Sequence, residues 1–117
     1  MAEQAMPETV EDLTITREGD ERMAPRKQLK KQVITSGAWA TLIYKFEELK
    51  RSKKGDTWGE KYSLVRYRKL KGSYRFQKEF TISNSDHVRV LRDTFTEWLA
   101  EEEAAAAAGA ETSDGEA

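Results

Sequence analysis

The sequence predicts an α+β fold in which a four-stranded, curved antiparallel sheet precedes one long C-terminal helix, in the order ββββα. Apolar and aromatic residues alternate along the middle of the chain, glycines interrupt that alternation, and the spacing becomes helical after Ile82. With 117 residues the chain is long enough for one small domain. We expect that domain over residues 27–107, between a disordered acidic arm (residues 1–26) and a disordered acidic tail (residues 108–117).

The first apolar segment, residues 32–49, predicts two strands rather than one. Gly37 interrupts it, and a glycine within an alternating run indicates a bend or bulge. We therefore expect a short strand before Gly37 and a longer one after it. A polar loop over residues 50–59 follows.

The second and third segments, residues 60–70 and 73–82, predict a β-hairpin. Both alternate and are rich in aromatic or β-branched residues. The two residues between them, Lys71 and Gly72, form a compact turn of the length that joins antiparallel strands directly.

A long helix is expected after the last strand. Asn84 or Ser85 is a suitable N-cap, and Asp86 favours the positive end of a helix. Gly109 is a plausible stop. The apolar face recurs at three- and four-residue steps through Val88, Leu91, Phe95, Trp98 and Leu99, and it widens with Val90 and Thr94.

Charge is divided into three blocks, although the formal net charge is only -1. Residues 1–25 carry two basic and seven acidic side chains, and residues 83–117 carry two basic and nine acidic ones. Residues 26–82 carry sixteen basic and five acidic side chains. That middle block is as basic as a nucleic-acid-binding module, and it also holds most of the aromatic residues.

The hairpin turn predicts which residues share a face of the sheet, provided that the hairpin has no bulge. Counting outward from the turn gives the pairs Arg68–Arg75, Tyr67–Phe76, Arg66–Gln77, Val65–Lys78 and Ser63–Phe80. One face, the core face, which the helix can cover, then carries Val65, Tyr67, Tyr74, Phe76, Phe80 and Ile82. The opposite face, the basic face, carries Tyr62, Leu64, Arg66, Arg68, Arg75 and Gln77.

The preceding strand is two-sided in the same way. Leu42, Tyr44 and Phe46 alternate with a second set that contains Trp39 and Lys45. If Gly37 does not shift the register, this second set joins the basic face. A site for single-stranded nucleic acid requires aromatic rings on which bases stack and cations that contact phosphates. The candidate nucleic-acid-binding residues are therefore Trp39, Lys45, Lys53, Lys54, Trp58, Tyr62, Arg66, Arg68, Lys71 and Arg75.

Other functional classes find little support. Cysteine is absent and His87 is the single histidine, so neither a metal site nor a cofactor is expected. Glu47, Glu60 and Glu79 are scattered, which leaves no catalytic constellation and argues against an enzyme. No signal peptide or membrane span is expected. We expect a cytoplasmic location, or a nucleoid-associated or nuclear one.

The junction between the last strand and the helix, Ile82-Ser83-Asn84-Ser85-Asp86-His87-Val88-Arg89-Val90-Leu91, resembles a known family. In the positive-cofactor-four coactivator an Asn caps the helix, an acid and an amide follow, and a bulky apolar residue precedes Leu by three. Here Asn84, Asp86, Val88 and Leu91 match, while His87 replaces the amide. Residues 30–105 thus resemble the single-stranded-DNA-binding transcriptional regulator superfamily, which also holds Pur-type and Whirly proteins.

The resemblance implies that the sheet face binds a single strand and that two ββββα units assemble into one body. A single unit of this size is also marginal in what it can bury. We therefore expect a homodimer, with Val90 and Trp98 as candidate interface residues.

The leading hypothesis is a protein that binds single-stranded DNA or RNA with little sequence preference, in transcription regulation, replication or repair. The alternative is a protein-interaction module that docks an acidic partner on the basic face. The acidic tails could compete with DNA for that face, recruit basic proteins, or only keep the chain soluble.

Overall fold

The computed structural model describes residues 7–109, and they form the predicted four-stranded antiparallel sheet followed by one C-terminal helix. The strands lie in the order β1-β2-β3-β4. The chain divides into two compact units, residues 1–83 and 84–117. The elements are β1 (Arg26–Ser36), β2 (Trp39–Lys50), β3 (Thr57–Leu70), β4 (Ser73–Ile82) and α1 (Ser85–Gly109).

The core face of the sheet is built mainly by alternate residues of β2 and β3. Leu42, Tyr44 and Phe46 are fully buried, as predicted from the two-sidedness of this strand, and Ala40 is buried with them. Val65, Tyr67 and Tyr74 join the same cluster. Burial raises the pKa of the Tyr44 hydroxyl, which lies 3.3 Å from the hydroxyl of Tyr67.

Residues 7–17 of the N-terminal arm are part of the fold, although the sequence predicts a disordered segment over residues 1–26. Val10, Leu13 and Ile15 are buried in the core cluster. Lys31 on β1 holds them there, because its ammonium group donates hydrogen bonds to the carbonyls of Val10, Glu11 and Leu13 at 2.6, 3.1 and 2.7 Å. The prediction failed because three isolated apolar residues in an acidic segment have no periodicity.

The arm covers part of the core face of the sheet. Val10, Leu13 and Ile15 supply three buried side chains to the cluster on the core face. Helix α1, described by itself, has no buried residue among those described. The arm before residue 7 and the predicted tail after residue 109 lie outside the described residues.

The β3–β4 hairpin follows the predicted register only near its turn. Lys71 and Gly72 both have positive φ, 54° and 86°, as a type I′ turn requires. The pair Arg68–Arg75 and the pair Tyr67–Phe76 form as predicted.

Beyond these pairs the predicted register is wrong, because Gln77 is an unpaired extra residue in β4. The observed pairs are Arg66–Lys78, Val65–Glu79, Leu64–Phe80, Ser63–Thr81 and Tyr62–Ile82. Phe80 and Ile82 consequently lie on the face of Leu64 and Tyr62, and Glu79 replaces Lys78 on the core face. Ile82 is nevertheless buried, as expected of a core residue. Phe76 is on the core face as expected, yet its side chain is 59% exposed.

The helix begins as the sequence predicts. The Asn84 side-chain oxygen accepts a hydrogen bond from the backbone N–H of Asp86 at 2.7 Å, which caps the first turn. His87 is exposed and makes a backbone hydrogen bond to Asn84. The helix continues through the alanine run to Gly109.

Candidate nucleic-acid interface

The register of β2 and β3 brings the aromatic and basic residues of both strands onto one face. Trp39 lies directly opposite Arg68, and Lys45 lies directly opposite Tyr62. Opposed residues in an antiparallel pair project from the same side of the sheet. The turn at Gly37 therefore does not displace Trp39, and the predicted membership of the basic face holds for this strand.

Strand β4 adds two cations in unfavourable positions. Arg75 is paired with Arg68, and Lys78 is paired with Arg66. All four side chains are exposed, and none of them forms an ion pair within residues 7–109. Like charges that are directly opposed destabilise a sheet, so an anion bound between them relieves a cost that the free protein carries.

Trp39 is the aromatic centre of this end of the basic face. The guanidinium carbons of Arg66 and Arg68 lie 4.3 and 5.1 Å from its ring centroid, at cation–π distance. The indole keeps 39% of its surface exposed. The ring thus orders two guanidinium groups and still presents a surface to a ligand.

The opposite end of the basic face carries weaker positive charge. Trp58 lies there, with the Lys27 ammonium 4.4 Å from its ring centroid. Glu47 and Glu60 are directly opposed beside it, and Glu60 forms an ion pair with Lys45 at 3.5 Å. Because acids and bases alternate here, uncompensated charge is concentrated at the Trp39 end.

The two tryptophans mark the length of the basic face. Trp39 begins β2, and Trp58 is paired with Leu49 near the end of that strand. Ten residues of extended strand span about 33 Å. Tyr62 lies between them, and its ring is 5.9 Å from the Lys45 ammonium.

The three remaining predicted site residues lie outside this arrangement. Lys53 and Lys54 are exposed in the loop between β2 and β3, and Lys71 is in the turn between β3 and β4. These two connections are at opposite ends of β3, the longest strand of the sheet. The structure therefore does not bring the three lysines together or place them on the basic face.

Comparison with family models, curated proteins and solved structures gives no match. The resemblance to single-stranded-DNA-binding regulators accordingly stays a prediction.

Phe80 is a residue of the basic face that the sequence analysis assigned to the core. It is 63% exposed and lies opposite Leu64, itself 37% exposed. The chain does contain a sign of this placement. In a strand without a bulge, Lys78 would project from the same face as Phe76 and Phe80. A lysine would then lie on the core face, and the bulge prevents this.

The charges of the core face are arranged differently, because they are paired with each other. Arg26 donates to Glu48 at 2.8 Å and to Glu79 at 2.9 Å, and Lys61 binds Glu48 at 2.6 Å. Burial by itself would raise the pKa of the Glu48 and Glu79 carboxyl groups. Hydrogen bonds from Lys61 and Arg26 outweigh burial at Glu48 and leave its pKa below the usual value. At Glu79 hydrogen bonds from Ser63 and Thr81, together with Arg26, have the same effect.

These paired charges give the core face a structural character. Each carboxylate already has partners, and within residues 7–109 no group of three or more His, Cys, Asp or Glu side chains is placed to hold a metal ion. The contrast with the unpaired cations around Trp39 singles out the basic face as the candidate site.

Helix α1, described by itself, exposes large apolar side chains. Val90 and Trp98, the candidate interface residues, are 61% and 58% exposed, and Phe95 and Leu99 are 53% and 52% exposed. The rings of Phe95 and Trp98 meet edge to face with centroids 6.2 Å apart. No helix in the described part of the chain is long and apolar enough to cross a membrane.

Proposed function

We propose that this protein binds single-stranded nucleic acid on the basic face and has little sequence preference. The observation that carries the proposal is the set of four cations without acidic partners around an exposed indole. Phosphates neutralise such cations, and bases stack on an aromatic ring whatever their identity. Such binding would serve wherever single strands are exposed, in transcription, replication or repair.

The geometry favours nucleic acid over an acidic protein as the ligand. An acidic protein would satisfy the arginines but would have less use for several exposed rings on the same surface. Trp39, Phe80 and Trp58 interleave with cations, and this combination matches alternating phosphates and bases. The ligand could be DNA or RNA, because stacking and phosphate contacts serve both.

We also propose that two copies associate through α1. The apolar side chains exposed on this helix, among them Val90 and Trp98, form the kind of surface that monomers rarely leave open. Light scattering after gel filtration would show a dimer for the native chain. Val90→Glu would give a monomer without loss of helical circular dichroism, whereas a native chain that is already monomeric would contradict the proposal.

The binding proposal is tested by fluorescence anisotropy with a labelled single-stranded oligonucleotide, and with the same sequence as duplex, over a range of salt. We expect a preference for the single strand and a strong salt dependence. The decisive variant is Arg66→Ala with Arg75→Ala. It should weaken binding and make the salt slope shallower by about 1.4, since each single-strand phosphate contact contributes about 0.7.

A variant with the same change of charge provides the control. Lys53→Ala with Lys54→Ala removes two cations from the exposed β2–β3 loop and should leave affinity and salt slope close to those of the native chain. Equal losses in both double variants would indicate attraction by overall charge instead of a site. Failure of the native chain to bind any oligonucleotide at low salt would refute the function and favour an acidic protein partner.

A further inference from the structure

Phe80 is the most exposed large hydrophobic side chain in residues 7–109, at 63%. It lies in the second half of β4, within the sheet and not at a loop tip. Exposing a phenylalanine in place of burying it forgoes hydrophobic stabilisation. An aromatic ring held in this position therefore calls for an explanation in terms of a ligand or partner.

The exposure results from the bulge at Gln77. With regular pairing through Gln77, Phe80 would lie opposite Ser63 on the core face. The unpaired residue instead brings Phe80 opposite Leu64 and Lys78 opposite Arg66. Bulges are over-represented beside functional sites because they redirect side chains in this way.

A shallow depression of about 280 Å³ lies beside the Phe80 ring. Four apolar or weakly polar residues and three charged residues line it: Thr41, Leu64, Val65 and Phe80, with Arg66, Lys78 and Glu79. Its volume is at the lower limit of pockets that enclose small molecules, and it is open to solvent. It suits a flat group that enters from one side while the rest of the ligand remains outside.

We propose that this depression is a nucleobase subsite, in which one unpaired base stacks on Phe80 while its flanking phosphates contact Arg66 and Lys78. The inference rests on the proposed function and adds a specific position to it. Directly opposed residues have Cβ atoms about 5 Å apart, so one phosphate can approach both cations. A base within a duplex cannot reach the ring without leaving its partner, and the subsite therefore selects single strands.

The neighbouring charges support a base with its phosphates over an apolar peptide side chain. Two of the three charged residues that line the depression are cations, and the carboxylate of the third, Glu79, is bonded to Arg26 and Ser63. Arg66 also contacts Trp39, which lies opposite Arg68 on the adjoining pair of strands. A strand bound at Phe80 can therefore continue to the indole, where a second base stacks.

The experiment compares Phe80→Ala with Phe76→Ala. Phe76 belongs to the same strand and is 59% exposed, but it lies on the core face. Binding is measured by anisotropy for a single-stranded oligodeoxynucleotide and for an abasic oligomer of equal length and charge. Circular dichroism and thermal unfolding verify that each variant folds, and Phe80→Tyr tests whether an aromatic ring restores binding.

We expect Phe80→Ala to lower affinity for the base-bearing strand about 5- to 150-fold, the effect of losing one stacked base. Its affinity for the abasic strand and its salt slope should not change, and Phe80→Tyr should bind as the native chain does. Phe76→Ala should have no effect on either ligand. Equal binding by Phe80→Ala and the native chain would overturn the subsite while leaving the proposed function in place.

Two other outcomes are also decisive. If the native chain binds base-bearing and abasic strands equally, the basic face acts through charge alone and the subsite does not exist. If it binds neither oligomer at low salt, both the subsite and the proposed function are wrong, and Phe80 belongs to a protein interface.

Discussion

The N-terminal arm can be tested by Leu13→Ala. This side chain is only 4% exposed, in a segment that the sequence analysis treated as disordered. The substitution removes three carbon atoms from the core cluster. At about 0.8 kcal/mol per buried carbon, the lost hydrophobic stabilisation is about 2.4 kcal/mol. Because the arm lies at the surface and can relax into the space left by the side chain, the cavity adds little to this cost. We expect a loss of about 2–3 kcal/mol in the free energy of unfolding.

Urea unfolding followed by circular dichroism measures this loss directly. In a domain of this size each kcal/mol corresponds to about 4–8 °C in melting temperature, so thermal unfolding should shift by about 10–20 °C. Leu29→Ala is the control, because Leu29 is 43% exposed at the β1 bulge. It should cost less than about 0.5 kcal/mol.

Lys31→Met shows whether the arm docks as a unit. It removes the three hydrogen bonds to arm carbonyls and keeps most of the apolar stem. If either Lys31→Met or Leu13→Ala releases the arm, the other substitution has few arm contacts left to remove. The double variant will then lose less free energy of unfolding than the sum of the two single losses. Equal stabilities of Leu13→Ala and Leu29→Ala would refute the assignment of the arm to the folded domain.

Three further predictions concern the core charges, the bulge and the helix cap. Glu48 and Glu79 have lowered pKa values in the folded chain. The stability that they contribute is therefore complete above about pH 4.5 and is lost as the pH falls through their pKa values in the folded state. Glu79→Gln should make the free energy of unfolding fall less steeply between pH 7 and pH 3, as measured by urea unfolding. Deleting Gln77 removes no cross-strand pair, so a destabilisation above about 2 kcal/mol would contradict the bulge. Asn84→Ala should destabilise the start of α1 by about 1 kcal/mol, visible as reduced helical circular dichroism and absent in Ser83→Ala.

The sequence predicted the elements whose determinants are local. The turn at Lys71 and Gly72 and the cap at Asn84 depend on neighbouring residues, and the structure has both. The alternation of β2 likewise predicted which of its side chains are buried, because one face of the sheet excludes water. The same alternation placed Trp39 on the basic face together with Arg66.

The failures have non-local causes. The amino-acid composition of β4 does not reveal that Gln77 is unpaired. Counting residues outward from the turn therefore treats Gln77 as paired and assigns Phe80 to the wrong face. The arm folds because Lys31, about twenty residues further along, binds its carbonyls. Such a contact depends on where the strands lie, and no spacing within the arm predicts it.

The placement of the acidic arm makes the sheet unit electrically two-sided. Exposed acids such as Glu11 and Asp12 belong to the segment that packs on the core face, while Arg66, Arg68 and Arg75 project from the other face. This separation forms a dipole across the thickness of the sheet. A polyanion that approaches the core face would be repelled, and a freely rotating molecule would be turned before contact. Encounters with such a ligand would therefore be oriented at a distance. Dissolved salt shortens the range of this steering and would slow association even where every contact of the final complex is retained.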